Sequence, residues 1–298
     1  MKILISGASG LVGTALSSAL QGMGHDVIPL KRGEKKPGTA WWDPEQGSVD
    51  LDAAPEIDAV FHLAGENIAG GKWTEARKAR LMDSRRVGTR VLAEALAASG
   101  EKPGVLVSAS GIGYYGDLGD SVATEQTPIG EGFLCDICRE WEDATQPALD
   151  AGIRVVNARI GIVLSAAGGA LTKMLTPFKL GLGGKVGSGK QYMSWVSLQD
   201  LVNMLTFVMT EKGISGPVNM VAPNAVTNTE FTKALGCSLK RPTIAPLPAF
   251  AARLMFGEMA DELLLASTRV APGVLQASGY EFLHKDIDAG MQAALGTA

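Results

Sequence analysis

Met1-Lys2-Ile3-Leu4-Ile5-Ser6-Gly7-Ala8-Ser9-Gly10-Leu11-Val12-Gly13 opens the chain, and its reading decides the fold. Ile3, Leu4 and Ile5 form a short apolar run stopped by Gly7, the pattern of a buried strand. From Leu11 to Met23 the apolar residues recur at helical spacing until Gly24. A strand, a glycine turn and a helix in that order make a place for a phosphate: the turn is tight, no β-carbon blocks the backbone, and the helix start offers free N–H groups. The glycines are spaced G-x-x-G-x-x-G, not G-x-G-x-x-G, so their position between strand and helix carries the reading more than the motif does. Gly7, Ser9, Gly10, Leu11 and Val12 are the expected contacts of a dinucleotide's pyrophosphate. The alternative is a strand-to-helix turn with a structural role only.

His25 to Leu30 is the next short strand. At its end an acidic residue would bind the ribose hydroxyls of NAD, but Lys31 and Arg32 follow instead. A guanidinium takes a phosphate bidentately where a carboxylate would repel it, so the pair points to the 2′-phosphate of NADP. A solvated basic turn continued by Lys35 and Lys36 is the competing reading.

Working outward, 57–64, 105–109 and 155–160 are further apolar runs. Helical stretches are expected at 74–99, with Thr74 as N-cap and Gly100 as stop, and at 133–151. Strands alternating with helices require crossovers between parallel neighbours, which gives an α/β fold, a doubly wound parallel sheet of Rossmann type. Beyond Leu164 the rhythm changes to a glycine-rich stretch at 181–189, the run 195–200, a helix from about Leu198, a strand at 217–221 and a proline-punctuated tail. The expected division is a nucleotide-binding domain over 1–164 to which 195–222 returns, and a smaller α/β substrate-side lobe made of 165–194 and 223–298.

With 298 residues, 46% hydrophobic and 19% charged, the chain can bury a large core. A net charge of -4 favours neither a nucleic-acid backbone nor an anionic membrane surface as partner, and any local basic cluster needs a local explanation. The first apolar run is too short for a secretory signal and no later run reaches a membrane span, so a cytoplasmic location is expected. Three cysteines argue against a disulfide framework.

Together with Asp58-Ala59-Val60-Phe61-His62-Leu63-Ala64-Gly65 and Ser108-Ala109-Ser110-Gly111-Ile112-Gly113-Tyr114-Tyr115-Gly116, these features resemble the extended short-chain dehydrogenase/reductases. Trp42-Asp43-Pro44, Leu63 to Gly71, Pro177 to Gly184 and Asn219-Met220-Val221-Ala222-Pro223 look like an atypical epimerase-like branch of unassigned activity. The resemblance implies that Leu63, Ala64 and Gly65 pass under the adenosine side of the cofactor, and that Ser108 to Ser110 bring a serine toward the nicotinamide. Arg85 stands where many relatives carry asparagine. It either holds a cofactor phosphate or substrate carboxylate, or lies on a charged helix face with Arg77, Arg80 and Arg86.

Active relatives carry a tyrosine four residues before a lysine, whose ammonium lowers the phenol's pKa for proton transfer. Here Leu134 and Cys138 fall in those places, and neither can do that work. The candidate substitutes are Tyr114 or Tyr115 reaching from the end of the preceding strand, Ser110 orienting a carbonyl, and Glu66 or Arg85 acting on a charged substrate; a packing ring is the competing reading of either tyrosine, and binding roles are favoured over catalytic ones. Cys135 and Cys138 have C-x-x-C spacing, but no further paired ligands accompany them, so no metal is expected and packing is the better reading. The glycine stretch 184–190 lacks a P-loop's Ser/Thr and reads as a lid over an acidic substrate or as a bland loop. Trp141 and Trp195 read as core. The expected function is an NADP-dependent oxidoreductase or epimerase-like enzyme on a small anionic or nucleotide-linked substrate, as monomer or homodimer. A non-catalytic NADP-binding protein is the alternative, and a true sugar-nucleotide epimerase is weakened by the lost tyrosine.

Overall fold

The computed structural model describes residues 1–37 and 39–296. The apolar runs form strands β1 (Lys2–Ser6), β2 (Asp26–Leu30), β3 (Ala59–His62), β4 (Val105–Gly111), β5 (Arg154–Ile160) and β6 (Gly216–Met220). They lie in one sheet in the order β6-β5-β4-β3-β1-β2, and every neighbouring pair is parallel. The chain leaves β1 to one side for β2 and returns to the other side for β3, so a crevice opens at the carboxyl ends of β1 and β3.

Helices α1 (Leu11–Gly22), α2 (Glu75–Ala98), α3 (Phe133–Asp143), α4 (Gln146–Asp150), α5 (Gly169–Lys179) and α6 (Leu198–Thr210) follow the strands. Because side chains alternate across a strand, the sheet buries two faces. Ile3, Ile5, Phe61, Val107 and Val156 pack with Leu16 and Leu20 of α1 and Leu201 and Leu205 of α6. Leu4, Val60, Leu106 and Val155 pack on the other face with Leu92 and Leu96 of α2 and Ala148 of α4. Thr74 caps α2 as expected, its hydroxyl accepting from the Arg77 N–H at 3.3 Å. The single helix expected over 133–151 is instead two. Pro147 has no N–H to continue the ladder, and it sits in the first turn of α4, where that loss is harmless.

A second core joins α5, α7 (Asn228–Leu239) and the C-terminal helix Ile287–Leu295 through Leu171, Phe178, Trp195, Phe231, Leu235 and Met291. The tail is also threaded partly back onto the first core. Leu275 is fully buried in the main core, with Tyr280 and Phe282 against it. The Tyr280 hydroxyl donates to the buried Asp200 carboxylate at 3.1 Å. The glycine-rich stretch is not a free lid either. The Val186 N–H donates to Asn228 Oδ1 at 2.7 Å, Gly187 N–H to the Leu247 carbonyl at 2.9 Å, and Gln191 Nε2 to the Leu264 carbonyl at 2.9 Å. A Cβ at Gly184 would lie 2.1 Å from the Ala245 carbonyl oxygen, so this glycine serves a close backbone approach.

Gly290 shows how tightly the second core is closed: a Cβ there would stand 2.3 Å from the fully buried Trp195 ring. Gly290→Ala should lower unfolding free energy by about 1–3 kcal/mol through overpacking, read as an earlier urea midpoint. An unchanged midpoint would show that the indole can give way.

Candidate functional site

Gly7 adopts φ +73°, and a Cβ there would lie 2.8 Å from the Leu63 carbonyl carbon. A Cβ at Gly13 would lie 2.1 Å from the Gly7 carbonyl oxygen. The turn therefore wedges against the end of β3 at one glycine and closes on itself at another. Gly10 is the N-cap of α1 and supplies no side-chain cap, and the first turn holds no acidic residue. The helix start keeps its free N–H groups and its positive dipole end beside exposed Ser9 and Gly10 and half-buried Leu11 and Val12. This cradle fits a pyrophosphate.

At the end of β2, the backbone of Lys31 is held by Trp42 N–H at 3.0 Å and by its own N–H to the Ala40 carbonyl at 3.1 Å. Its side chain and that of Arg32 are exposed, and among the described residues neither has an ion-pair partner. Lys35 is different, being paired with Asp50 at 2.5 Å. The basic run thus separates into one neutralised lysine, Lys35, and three cations without an ion-pair partner among the described residues, Lys31, Arg32 and Lys36, the first two directly after β2.

Leu63 and Ala64 leave β3 through hydrogen bonds to the Ser6 carbonyl at 3.1 Å and the Ser6 hydroxyl at 3.4 Å. Arg85 lies behind them, buried, not on the charged face with Arg80 and Arg86. It donates to the carbonyls of Leu81 and Glu66, both at 3.0 Å. Its guanidinium rests 4.7 Å from the Trp141 ring centroid and 3.5 Å from where a Cβ on Gly65 would be. The residue braces the segment after β3 with two of its five N–H donors. Glu66 is paired with Arg77 at 3.1 Å and Arg80 at 3.7 Å.

At the end of β4, Ser108 is fully buried and the Ser110 hydroxyl donates to Glu142 Oε1 at 2.7 Å. Arg159 of β5 grips the same carboxylate with Nε and Nη2, both at 2.8 Å, and donates from Nη1 to the Tyr115 hydroxyl at 3.0 Å. That hydroxyl donates in turn to Asn219 Oδ1 at 2.7 Å. The Arg159 guanidinium also lies 3.4 Å from the Tyr114 ring centroid. Burial alone would lower the Arg159 pKa, but Glu142 and the Tyr115 hydroxyl outweigh it and hold the pKa raised. Burial pushes the Tyr115 phenol up, against the pull of Arg159.

Tyr115 is 2% exposed and its proton is committed inside the fold, so its geometry favours the packing reading over the candidate proton-transfer role. Ser110 likewise spends its one proton on a carboxylate, and toward the crevice it can only accept. Glu142, Arg159 and Asn219 were missed in the sequence. The signal was there, because a charge inside the apolar run 155–160 must find a partner. In the places of the absent tyrosine and lysine, Leu134 is half-buried and Cys138 is buried, its thiol pushed up to about 12 by burial and then by Glu142. Cys135 is pushed to about 11 by burial and by Glu262. Both thiols donate to backbone carbonyls at the end of β4, Cys138 to its last residue Gly111 at 3.5 Å and Cys135 to Gly113 just beyond it at 3.2 Å. No metal-holding group of side chains occurs among the described residues.

Residues 3–221 match the NAD dependent epimerase/dehydratase family. The chain belongs to that family. Residues 247–294 match a second model, a domain of unknown function called DUF1731. An epimerase family protein of Mycobacterium bovis is 46% identical over 286 residues, covering 96% of this chain and 94% of the relative. The crystal structure of human epimerase family protein SDR39U1 with NADPH superposes with a TM-score of 0.92 at 33% identity, covering 100% of both chains. Thermus thermophilus UDP-glucose 4-epimerase in complex with NAD, at 18% identity and a TM-score of 0.74 with 100% of both chains covered, shares the fold. Within this family's architecture, the glycine turn, the β2 end and the β4 end face one crevice.

Two measurements test the chemistry beneath that crevice. Tyr115→Phe leaves a buried Arg159 donor and the Asn219 carbonyl without their partner, and should cost about 1–3 kcal/mol of stability in urea unfolding; no loss would mean that water replaces the hydroxyl. His62 is fully buried, its Nδ1 2.7 Å from the Ser6 hydroxyl, and burial lowers its pKa from 6.5 to about 4. Between those values the unfolded chain takes up a proton that the folded chain refuses, so stability falls as pH drops through that window, by about 3 kcal/mol in all. His62→Gln should flatten this part of the stability profile, and an unaltered slope would assign it to other groups.

Proposed function

We propose that the chain binds NADPH across the carboxyl ends of β1 and β3, and that it is an NADP-dependent oxidoreductase or epimerase-like enzyme. Its substrate on this reading is a small anionic or nucleotide-linked molecule held between the sheet and the second lobe. The observation that carries the cofactor assignment is the pair of unpaired cations, Lys31 and Arg32, at the end of β2 beside the uncapped start of α1. The human relative solved with NADPH supports it. When bound, the nicotinamide supplies the hydride chemistry.

The protein's own part is binding and positioning. The N–H groups of the glycine turn hold the pyrophosphate, Lys31 and Arg32 take the 2′-phosphate, and Ser110 accepts from a donor near the nicotinamide. Lys173 of α5 donates to the Ala69 carbonyl, which sets a cation beside the loop that follows β3. A second reading, a non-catalytic NADPH-binding protein, is favoured by Leu134 and Cys138 in the places of the proton-transfer pair.

Calorimetric titration with NADPH and NADH tests the assignment. Arg32→Ala should weaken NADPH binding by about 1.5–3 kcal/mol through loss of a charge-assisted hydrogen bond, with NADH little changed. Equal losses for both cofactors would remove Arg32 from the site. Loss of NADPH absorbance with a panel of carbonyl substrates, or appearance of the epimer from UDP- and GDP-sugars, supports the enzyme; tight binding without turnover supports the second reading.

A further inference from the structure

Charge is segregated along this chain. Residues 161–199 and 231–257 hold eight lysines and arginines and no aspartate or glutamate, while the whole chain carries a net charge of -4. The fold brings the two stretches together. Arg241 Nε donates to the Lys179 carbonyl at 3.0 Å, Ala245 N–H to the Gly183 carbonyl at 3.2 Å, and Leu247 N–H to the Lys185 carbonyl at 2.9 Å. Of the eight cations, Arg253 is paired with Asp261 at 2.8 Å. Among the described residues, the other seven have no acidic partner.

The same two stretches carry large aliphatic side chains turned to solvent: Leu180 is 70% exposed, Leu182 63% and Ile244 81%. They sit on the loops that the hydrogen bonds above lace together, beside Lys179, Lys240 and Arg241. Chain continuity leads from Ile244 into helix α8 (Ala249–Phe256), which buries Ala252 and exposes Phe250 and Leu254. Exposed aliphatic tips next to unpaired cations are costly in water unless something covers them. Nucleic acid would use the cations and Phe250, on which a base can stack, but would leave Leu180, Leu182, Ile244 and Leu254 idle.

We propose that this face of the second lobe docks on an anionic lipid bilayer. Leu180, Leu182 and Ile244 enter the headgroup layer, and Lys179, Lys240 and Arg241 meet lipid phosphates and carboxylates. The attachment is peripheral: among the described residues no helix is long and apolar enough to cross a membrane. The overall negative charge does not oppose it, because screening confines each cation's reach to about 10 Å. Each cation near such a surface contributes about fivefold in partitioning.

The test is co-sedimentation of the full chain with vesicles of phosphatidylcholine containing about one-third phosphatidylserine, against pure phosphatidylcholine, at low and physiological salt. The expected result is binding to the anionic vesicles that weakens with salt. The double change Lys179→Glu with Arg241→Glu should reduce it at least about tenfold, and Leu182→Ser with Ile244→Ser should remove what persists at physiological salt. NADPH titration of the same variants should be unchanged, which shows that they remain folded. Absence of binding to anionic vesicles at low salt overturns the proposal. So does binding unaffected by charge reversal, or tighter binding to a single-stranded nucleic acid than to the vesicles.

Discussion

Glu142 near the end of α3 and Arg159 near the end of β5 form an ion pair almost without solvent contact, with side chains 11% and 3% exposed. Such a pair is stable only when geometry and further hydrogen bonds offset the desolvation of both charges. Here the carboxylate takes two guanidinium donors and the Ser110 hydroxyl, and the guanidinium's remaining arm goes to Tyr115. A buried charge left without its partner costs about 3–5 kcal/mol. The two positions are therefore fixed together, and with them the loop after β4 and the tilt of α3 against the sheet. The position of Ser110 under the crevice is a consequence of this pair.

The parallel sheet was legible in the sequence because burial on both faces leaves nearly continuous apolar runs, and because Gly7 and Gly13 stand where a side chain would collide. The two cations at Lys31 and Arg32 were legible for the same reason: position after a strand says what a charge is near. What could not be read was pairing at a distance. Nothing local in Ser110 or Tyr115 tells that Glu142 and Arg159 will absorb their hydrogen bonds, and nothing in Arg85 tells that its partners are backbone carbonyls of its own helix and of the segment after β3. Composition misled where it suggested mobility. Gly184 permits tight contact with Ala245 and Pro246, and Gly187 with Leu265, and so they stiffen a loop that looked loose.

The missing tyrosine and lysine acquire a structural meaning. Where an acid and its ammonium would face the crevice, α3 offers a leucine and a thiol hydrogen-bonded to the Gly111 carbonyl. The helix start is occupied as well, because Glu262 accepts from the N–H groups of Phe133 and Leu134 at 2.9 and 2.7 Å. Where the resemblance implies a proton-transfer pair, α3 presents a packing surface.

The tail's return to the first core bears on how the molecule comes to exist. Leu275 fills the space between sheet and helices, and the Val274 N–H shares the buried Glu125 carboxylate with the N–H of Asn219 at 3.1 Å each. A chain growing from its amino end on the ribosome can pair β1 to β6 before these contacts exist, but it holds an open seam until residue 275 has emerged. Contacts that join residues so far apart in sequence form late and slowly. The sheet is thus drafted by the first 220 residues and its core closed only by the last quarter of the chain.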